Sequence, residues 1–457
     1  MIIHVQNFGK IESADIDLGD FVVFVGENNS GKTYLMQLIY GLFSSFYNIN
    51  SNEIKKLFSE LKAESEQITI KNDDLKFYTS FQTALNSYIE QNKNAIIESV
   101  FHTSSLTIDS LSVEFNALSD EFSISYDGEV ETDNGIFKRY SFCKNGEPLR
   151  KVGFGKSFSQ DFIDFITTQE LTSILLSELT GLSINIDNRE QDEKSFIYLP
   201  ASRSGIMLLY ANYLSNDEKN NGLENEGFIF EQDAKNDAEN KYGLTKPVYD
   251  FLMFLLKHKN SEKAIDNNKS LISFIDENII NGHLDKVGNA MRYRPDKSDQ
   301  SIPIFLSSSL ISELSPIYQI ISGIQRYTYI MYDEIETCQH PTKQLQLARL
   351  LVRMINAGFK MIVSTHSDTM AAAINNLITL SFKKNRMELV SELKYEEADI
   401  IRSTNIKAYH FKIGDDGKTE VVEVQSHFSV GVGFDFNVFN TTNDKIYHDA
   451  LALAEGE

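Results

Sequence analysis

Three short clusters of residues have the types and spacing that phosphate chemistry needs. The first is Gly26-Glu27-Asn28-Asn29-Ser30-Gly31-Lys32-Thr33, which fits the pattern G-x-x-x-x-G-K-[ST]. The two glycines let a backbone wrap around phosphates. The N–H groups of Gly26, Asn28, Asn29, Ser30 and Gly31 can then face an anion at a helix N-terminus. Lys32 would reach the β- and γ-phosphates of a nucleoside triphosphate, and the Thr33 hydroxyl would ligate Mg²⁺. The bland alternative is a chance match on a turn. The second cluster is the pair Asp333-Glu334 after the apolar run Tyr327–Tyr332. Asp333 would hold Mg²⁺ from beyond its direct ligands, and Glu334 would orient and polarise an attacking water; the alternative is an acidic turn after a core strand. The third is His366, after Met361–Val363. An imidazole there could contact a γ-phosphate, or simply cap or pack. A weaker fourth signal is Ser307-Ser308-Ser309, where hydroxyls and backbone N–H groups form either an anion site or an ordinary helix cap.

These residues need elements to hold them. Phe21–Val25 is a continuous apolar run of strand length, as expected for a strand covered on both faces, and a helix follows from Lys32 with Leu35, Leu38, Ile39 and Leu42 on one side. Tyr327–Tyr332 and Lys360–Ser364 read as two more buried strands, with the helix Lys343–Ala357 between them. Ile302–Phe305 reads as a strand leading into the serines, and Ser312–Ile324 as a helix interrupted or restarted at Pro316. Ile2–Val5 and Ala14–Leu18 alternate like strands.

The long middle of the chain changes character several times. Ser51–Ser99 is helical and polar. Thr107–Phe142 alternates as strands, with turns at Asp127-Gly128 and Asn134-Gly135. Asp161–Ile184 returns to helix and Ser195–Leu199 to a short strand ended by Pro200. Asn216–Lys241, rich in Asn, Asp, Glu and Gly, reads as a mobile surface loop. Helices follow at Val248–Lys257 and Leu271–Ile280, and a strand at Met291–Tyr293. Lys407–Ile413 and Thr419–Val424 flank Gly-Asp-Asp-Gly as a hairpin, and an amphipathic helix covers Asp444–Ala454.

Composition limits the function classes. The chain has 457 residues, 42% of them hydrophobic, with 20 Tyr and 31 Phe, which is enough apolar material for a large core and excludes disorder as the main state. Lys and Arg number 43 against 65 Asp and Glu, a net charge of −22, which argues against a general nucleic-acid coating role. A local basic tract such as Lys383-Lys384-Asn385-Arg386 leaves a DNA contact open, although solvated charge explains it as well. Cys143 and Cys338 cannot make a disulfide framework and fit a reducing cytoplasm or core packing. The first residues lack a secretory signal pattern, and the most apolar runs are far shorter than a membrane span. The expectation is a soluble, cytoplasmic protein without membrane contact.

Taken in order, the four clusters resemble those of ABC-type ATPases, in particular the RecF/OLD-like and SMC-like branch. The resemblance covers about 1–42 and 302–380. It implies an α/β fold: an ABC-type P-loop ATPase head with a mixed β-sheet core, formed by 1–50 and 300–457. Residues 51–299 would be a helical and β insertion, with its β segment near 106–142 and its mobile loop near 216–241. It implies ATP and Mg²⁺ as cofactors, Lys32, Glu334 and His366 as the hydrolytic residues, and Thr33 and Asp333 at the metal. Ser307–Leu314 stands at the signature position, so Ser308 and Ser309 would touch ATP bound to a second copy in a homodimer or higher oligomer of dimers. Serines replace the family's signature glycines. Glu336–Pro341 is similar to the D-loop. The family's Q-loop glutamine corresponds to no single residue; Gln82 and Gln160 are the candidates. Ile197–Gly205 also looks like a stretch of stand-alone ATPases of this branch, which leaves Arg203 either functional or structural. The middle lacks the heptads of SMC-like arms, and no TOPRIM acidic triad, His-Asn-His cluster or zinc-spaced cysteines follow. Stand-alone members of this branch work with a separately encoded nuclease or toxin, as in the Septu, PARIS and retron-associated anti-phage systems, and nucleic acid would be contacted through that partner. The competing reading is a RecF-like repair ATPase that binds DNA itself. A third is a scaffold in which ATP is structural.

Overall fold

The computed structural model describes residues 1–64, 68–132, 135–184, 195–210, 243–287, 290–428, 432–436 and 440–455. The chain forms two compact units. One comprises 1–18, 41–98 and 103–195; the other comprises 19–40, 99–102 and 196–457. The division differs from the boundaries expected at 50/51 and 299/300. Residues 196–299 cluster with the P-loop because the strand Phe196–Leu199 lies in its sheet and Phe251, Leu255 and Ile275 share its core. The loop expected near 216–241 lies outside the described residues.

In the first unit, Ile2–Phe8 pairs antiparallel with Ile11–Asp17 on one side and Ser110–Glu114 on the other. A second antiparallel sheet runs in the order Ile68–Ile70, Phe122–Thr132, Gly135–Lys144, Glu147–Gly155. It extends past the expected end at Phe142. A turn with Asn145 at φ 51° and Gly146 at φ 80° adds one more strand. That strand, EPLRKVGFG, is mostly solvent-facing, so its alternation is masked. The helical text expected over Ser51–Ser99 is two helices, Asn52–Glu64 and Leu75–Phe101, separated by the strand Ile68–Ile70. The helix Gln160–Thr180 is capped at its start by Ser159, whose hydroxyl accepts from the Phe162 N–H, and ends on Gly181 in the left-handed conformation.

The second unit is built on a mixed sheet, as an α/β fold requires. Its strand order is Thr419–Glu423, Ile406–Ile413, Phe21–Gly26, Lys360–Thr365, Tyr329–Tyr332, Phe196–Leu199. All neighbours are parallel except the first pair, which forms the expected hairpin. Parallel strands must be covered on both faces, and every residue of Phe21–Gly26, Tyr329–Tyr332 and Phe196–Leu199 is buried. Register pairs Val25 with Thr365 and Tyr332 with Val363, so the C-terminal ends of three strands lie side by side. Loops that leave such ends are where α/β sheets bind ligands.

Two local expectations change. Ser309–Ser322 is one helix that runs through Pro316. Pro316 cannot donate to the Ser312 carbonyl, but the Ser315 hydroxyl does so at 3.1 Å, and the orphaned acceptor is satisfied. The strand expected at Ile302–Phe305 is only Ile302–Pro303, followed by a tight turn over Ile304–Leu306. The hairpin Gly282–Val287 with Ala290–Pro295 pairs with that short strand. No helix among the described residues is long and apolar enough to cross a membrane. Cys143 and Cys338 are free thiols, the first half-buried and the second exposed, so packing does not account for Cys338.

A buried ionic knot closes the sheet's helical cover. Asp399 is wholly buried and accepts from Arg349 Nε at 2.9 Å, Arg353 Nε at 2.8 Å and the Glu396 N–H at 2.9 Å. Arg353 lies 3.9 Å from the Phe274 ring centroid. Burial pushes the Asp399 carboxyl upward, but these donors outweigh it and hold the group below the usual range. A depressed carboxylate contributes stability above its unfolded pKa and loses it as pH falls through the folded one. Asp399→Ala removes the buried partner of Arg349 and Arg353 and leaves them only the exposed carboxylate of Glu396. It is expected to cost about 3 kcal/mol at neutral pH, read by denaturant unfolding, with the difference from wild type shrinking in acid.

Candidate functional site

The strand Phe21–Gly26 feeds the loop Glu27–Gly31 and then the helix Lys32–Phe46. Gly26 has φ 150°, and a Cβ there would meet the Phe411 carbonyl oxygen at 2.8 Å. Asn29 at φ 62° and Gly31 at φ 97° complete the curl. Asparagine tolerates the left-handed region better than most residues with a Cβ. Lys32 turns back into this curl. Its ammonium donates to the carbonyls of Gly26 at 2.8 Å and Glu27 at 2.7 Å, and to Ser30 Oγ at 3.3 Å. Burial lowers its pKa, opposed by the nearby carboxylates of Asp333, Glu334 and Glu336.

Asp333 lies at the end of the strand Tyr329–Tyr332 and is wholly buried. Its Oδ2 accepts from Thr33 Oγ1 at 2.7 Å and from Tyr198 OH at 2.9 Å, and its Oδ1 accepts from Ser364 Oγ. Tyr198 also accepts from Gln37 Nε2 at 3.3 Å. Burial, followed by the Asp333 charge, pushes the Tyr198 phenol well above its ordinary pKa, so it stays a donor.

Glu334 sits at φ 45°, a left-handed conformation for a residue with a Cβ. Its N–H donates to Ser364 Oγ at 2.8 Å. Its side chain is about one-third exposed and faces His366, with Nδ1 4.0 Å from Oε1. Burial, then the neighbouring Asp333 charge, raises its pKa above the ordinary value. His366 follows directly after the strand Lys360–Thr365. Its Nδ1 lies 3.0 Å from Glu336 Oε1, and the same oxygen accepts the His366 N–H at 2.8 Å. Glu336 Oε1 therefore holds both the imidazole and the main chain of His366.

Sequence reasoning put Glu336 in a loop motif without giving it a role. It also missed Tyr198 and Ser364, which sit inside stretches singled out for Arg203 and His366. Burial of a hydroxyl beside Asp333 leaves no mark in the sequence. Arg203 is wholly buried, and its partners are the buried Glu313 and backbone carbonyls.

The serines split in two. Ser307 Oγ and Ser312 Oγ both donate to the Ile304 carbonyl and fix the start of the helix Ser309–Ser322. Ser308 occupies the N-cap position, but its hydroxyl caps no N–H; Ser308 and Ser309 are exposed. The ordinary serine cap is thus not what Ser308 makes. Gln82 accepts from the Phe115 N–H at 2.9 Å, and Gln160 is exposed, donating to Asp164 at 2.9 Å. Both belong to the first unit rather than the one that carries the P-loop.

The donor set suits a magnesium nucleotide. A hydroxyl and a carboxylate, already hydrogen-bonded to each other, are hard oxygen ligands, and Mg²⁺ usually takes one or two protein oxygens and completes its shell from phosphate and water. No cluster of three or more His, Cys, Asp or Glu fit to hold a metal occurs among the described residues.

A family model described as "AAA ATPase domain" matches residues 1–371. No curated protein matches the chain. Among solved structures, an SMC head domain from Thermotoga maritima is similar at 11% identity over 93% of this chain and 98% of that one, with a TM-score of 0.32. An SMC head bound to the C-terminal winged-helix domain of ScpA aligns at 11% identity over 94% and 99%, with a TM-score of 0.36. A third is an SMC head with an extended coiled coil bound to the C-terminal domain of ScpA, derived from Pyrococcus furiosus, at 11% over 93% and 96%, with a TM-score of 0.33.

The curl of the loop makes its own prediction. Gly26→Ala places a Cβ against the Phe411 carbonyl in a conformation that side chains avoid, and is expected to cost about 1–3 kcal/mol, read as a lowered melting temperature.

Proposed function

Because the chain belongs to the AAA ATPase domain family, we propose that it binds ATP with Mg²⁺ and hydrolyses it as a dimeric switch of the ABC-type, RecF/OLD-like and SMC-like kind. One observation carries the reading. The hydrogen bond from Thr33 Oγ1 to Asp333 Oδ2, at 2.7 Å across a separation of 300 residues, joins the phosphate loop to the acidic strand end.

In this reading the N–H groups of Asn28, Asn29, Ser30 and Gly31 cradle the phosphates. Lys32 would exchange its bonds to the Gly26 and Glu27 carbonyls for phosphate oxygens. Thr33 and Asp333 would hold Mg²⁺, which, when bound, neutralises charge developing on the phosphoryl group. Glu334 orients the water and takes its proton, a role that its raised pKa favours by making its carboxylate a stronger base. His366, whose Nδ1 is steadied by Glu336, would use its other ring nitrogen on the γ-phosphate.

The exposed Ser308 and Ser309, at a helix start that they do not cap, support a role against nucleotide held by a second copy. The switch would act in the cytoplasm on a separately encoded nuclease or toxin in anti-phage defence. The net charge of −22 supports leaving contact with nucleic acid to that partner.

Lys32→Ala is expected to weaken ATP binding about 10- to 100-fold by calorimetry. Glu334→Gln is expected to keep ATP affinity, lower kcat about 10²- to 10⁴-fold and accumulate an ATP-bound dimer by light scattering. Wild-type turnover in Glu334→Gln removes the assignment. The acid limb of kcat against pH is expected above the ordinary Glu value of about 4.3, because the base must be ionised and burial with Asp333 disfavours that.

A further inference from the structure

The ATPase reading leaves unexplained why a charged pair is buried between the acidic turn and the helix that carries Ser309. Arg203 and Glu313 are both wholly inaccessible. Arg203 Nε donates to Glu313 Oε2 at 2.5 Å. The other Glu313 oxygen accepts from the Ser204 N–H at 3.0 Å and from the Ser204 hydroxyl. The remaining Arg203 donors go to backbone carbonyls. NH1 donates to Pro200 at 2.8 Å and to Asp333 at 2.6 Å, and NH2 donates to Glu334 at 3.0 Å. The guanidinium also lies over the Tyr332 ring, 4.6 Å from its centroid.

If stability alone were at stake, well-packed apolar residues would serve as well as a buried ion pair, and often better. The pair instead spends its directional bonds on the carbonyls of the two residues whose side chains form the acidic site. Glu334 is held at φ 45°, a conformation that persists only when its surroundings fix it. Its carbonyl is gripped by Arg203 NH2 and by Thr337 Oγ1 at 2.8 Å. At its far end the pair is anchored in Glu313, within the helix Ser309–Ser322. Glu313 lies one helical turn beyond Ser309, about 6 Å along the axis, so a shift at the exposed helix start moves Glu313 with it.

We propose that Arg203 and Glu313 form a positioning pair that links the exposed start of the Ser309–Ser322 helix to the Asp333-Glu334 turn, so that contact at Ser308 and Ser309 sets the placement of the Glu334 carboxylate. The proposal rests on the ATPase reading above. Neither residue of the pair touches nucleotide; both act through backbone carbonyls. Contact of the helix start with a second copy's nucleotide would thereby become a condition for hydrolysis, which would couple assembly to turnover.

The test uses the full chain, ATP-Mg²⁺ and the double variant Arg203→Met/Glu313→Leu, which replaces the pair with apolar side chains and avoids a lone buried charge. The expected result is a folded protein by circular dichroism with an ATP Kd within about threefold of wild type and kcat reduced about 10²-fold, since misplacement of a reacting group by an ångström costs that much. A folded double variant with kcat within about threefold of wild type overturns the proposal. Should the double variant not fold, Glu313→Gln takes its place, with kcat reduced at least about tenfold at unchanged Kd as the supporting result and wild-type kcat as the overturning one. Transmission is read from a cycle with Ser309→Ala. That change should lower kcat in the wild-type background and have no further effect in the pair variant. An additive cycle, or one in which Ser309→Ala changes nothing, overturns the link. Lys32→Ala and Glu334→Gln run alongside; if those two hydrolyse ATP normally, the ATPase reading has failed rather than the pair.

Discussion

The second unit is organised around one buried carboxylate. Asp333 has no exposed surface, and a charge in that position is tolerated only when its oxygens are matched by donors. The donors come from three separate stretches: Thr33 at the start of the P-loop helix, Tyr198 on the neighbouring strand and Ser364 on the strand that lies on its other side. Removing Ser364 would leave Oδ1 without its donor in a low-dielectric interior, and removing Thr33 or Tyr198 would leave Oδ2 with one donor in place of two, so the requirement fixes the relative placement of the elements that bear them. Strand register does the rest, because Tyr329–Tyr332 is flanked in parallel by Phe196–Leu199 and Lys360–Thr365. Ser364 serves twice, donating to Asp333 and accepting from the Glu334 N–H, and so ties the carboxylate to the conformation of the residue after it.

Around that centre the backbone is held in conformations that isolated peptides avoid. Gly26, Asn29, Gly31 and Glu334 all have positive φ, and the first three sit in the phosphate loop. Glycine and asparagine make the loop inexpensive; Glu334 has no such excuse and is held by Ser364, Thr337 and Arg203. The same rigidity shapes the electrostatics. Lys32 is buried beside the carboxylates of Asp333, Glu334, Glu336 and Glu27, while Glu334 is kept only partly in water beside Asp333. Each group is disfavoured in its charged form by burial, and each is steadied by the other's charge. Such opposed influences are common where side chains handle protons or phosphates.

Much of the site was legible because it is local. The turn Gly26–Thr33 declares itself through glycine spacing and the apolar strand before it, and Asp333-Glu334 and His366 follow buried strands whose apolar runs are continuous. Segments whose alternation is blurred by solvent-facing residues were harder. Glu147–Gly155 was not foreseen as a strand, and Pro316 looked like a helix break because the compensating Ser315 hydroxyl is a side-chain choice. The compact units group 196–299 with the P-loop through one short strand and a shared core rather than through any sequence signal.

The sequence by itself determined the phosphate loop, the order of the acidic and histidine strand ends, and the α/β character of the second unit, since each rests on short-range periodicity and on residue types with few alternative uses. The tertiary structure alone decided which hydroxyls satisfy Asp333, that Glu336 steadies His366, and that Arg203 spans from Glu313 to the Asp333 and Glu334 carbonyls. Those pairings link positions from 30 to 300 residues apart in the chain. They are set by the need to match every buried polar group, and that need arises only once the chain has folded.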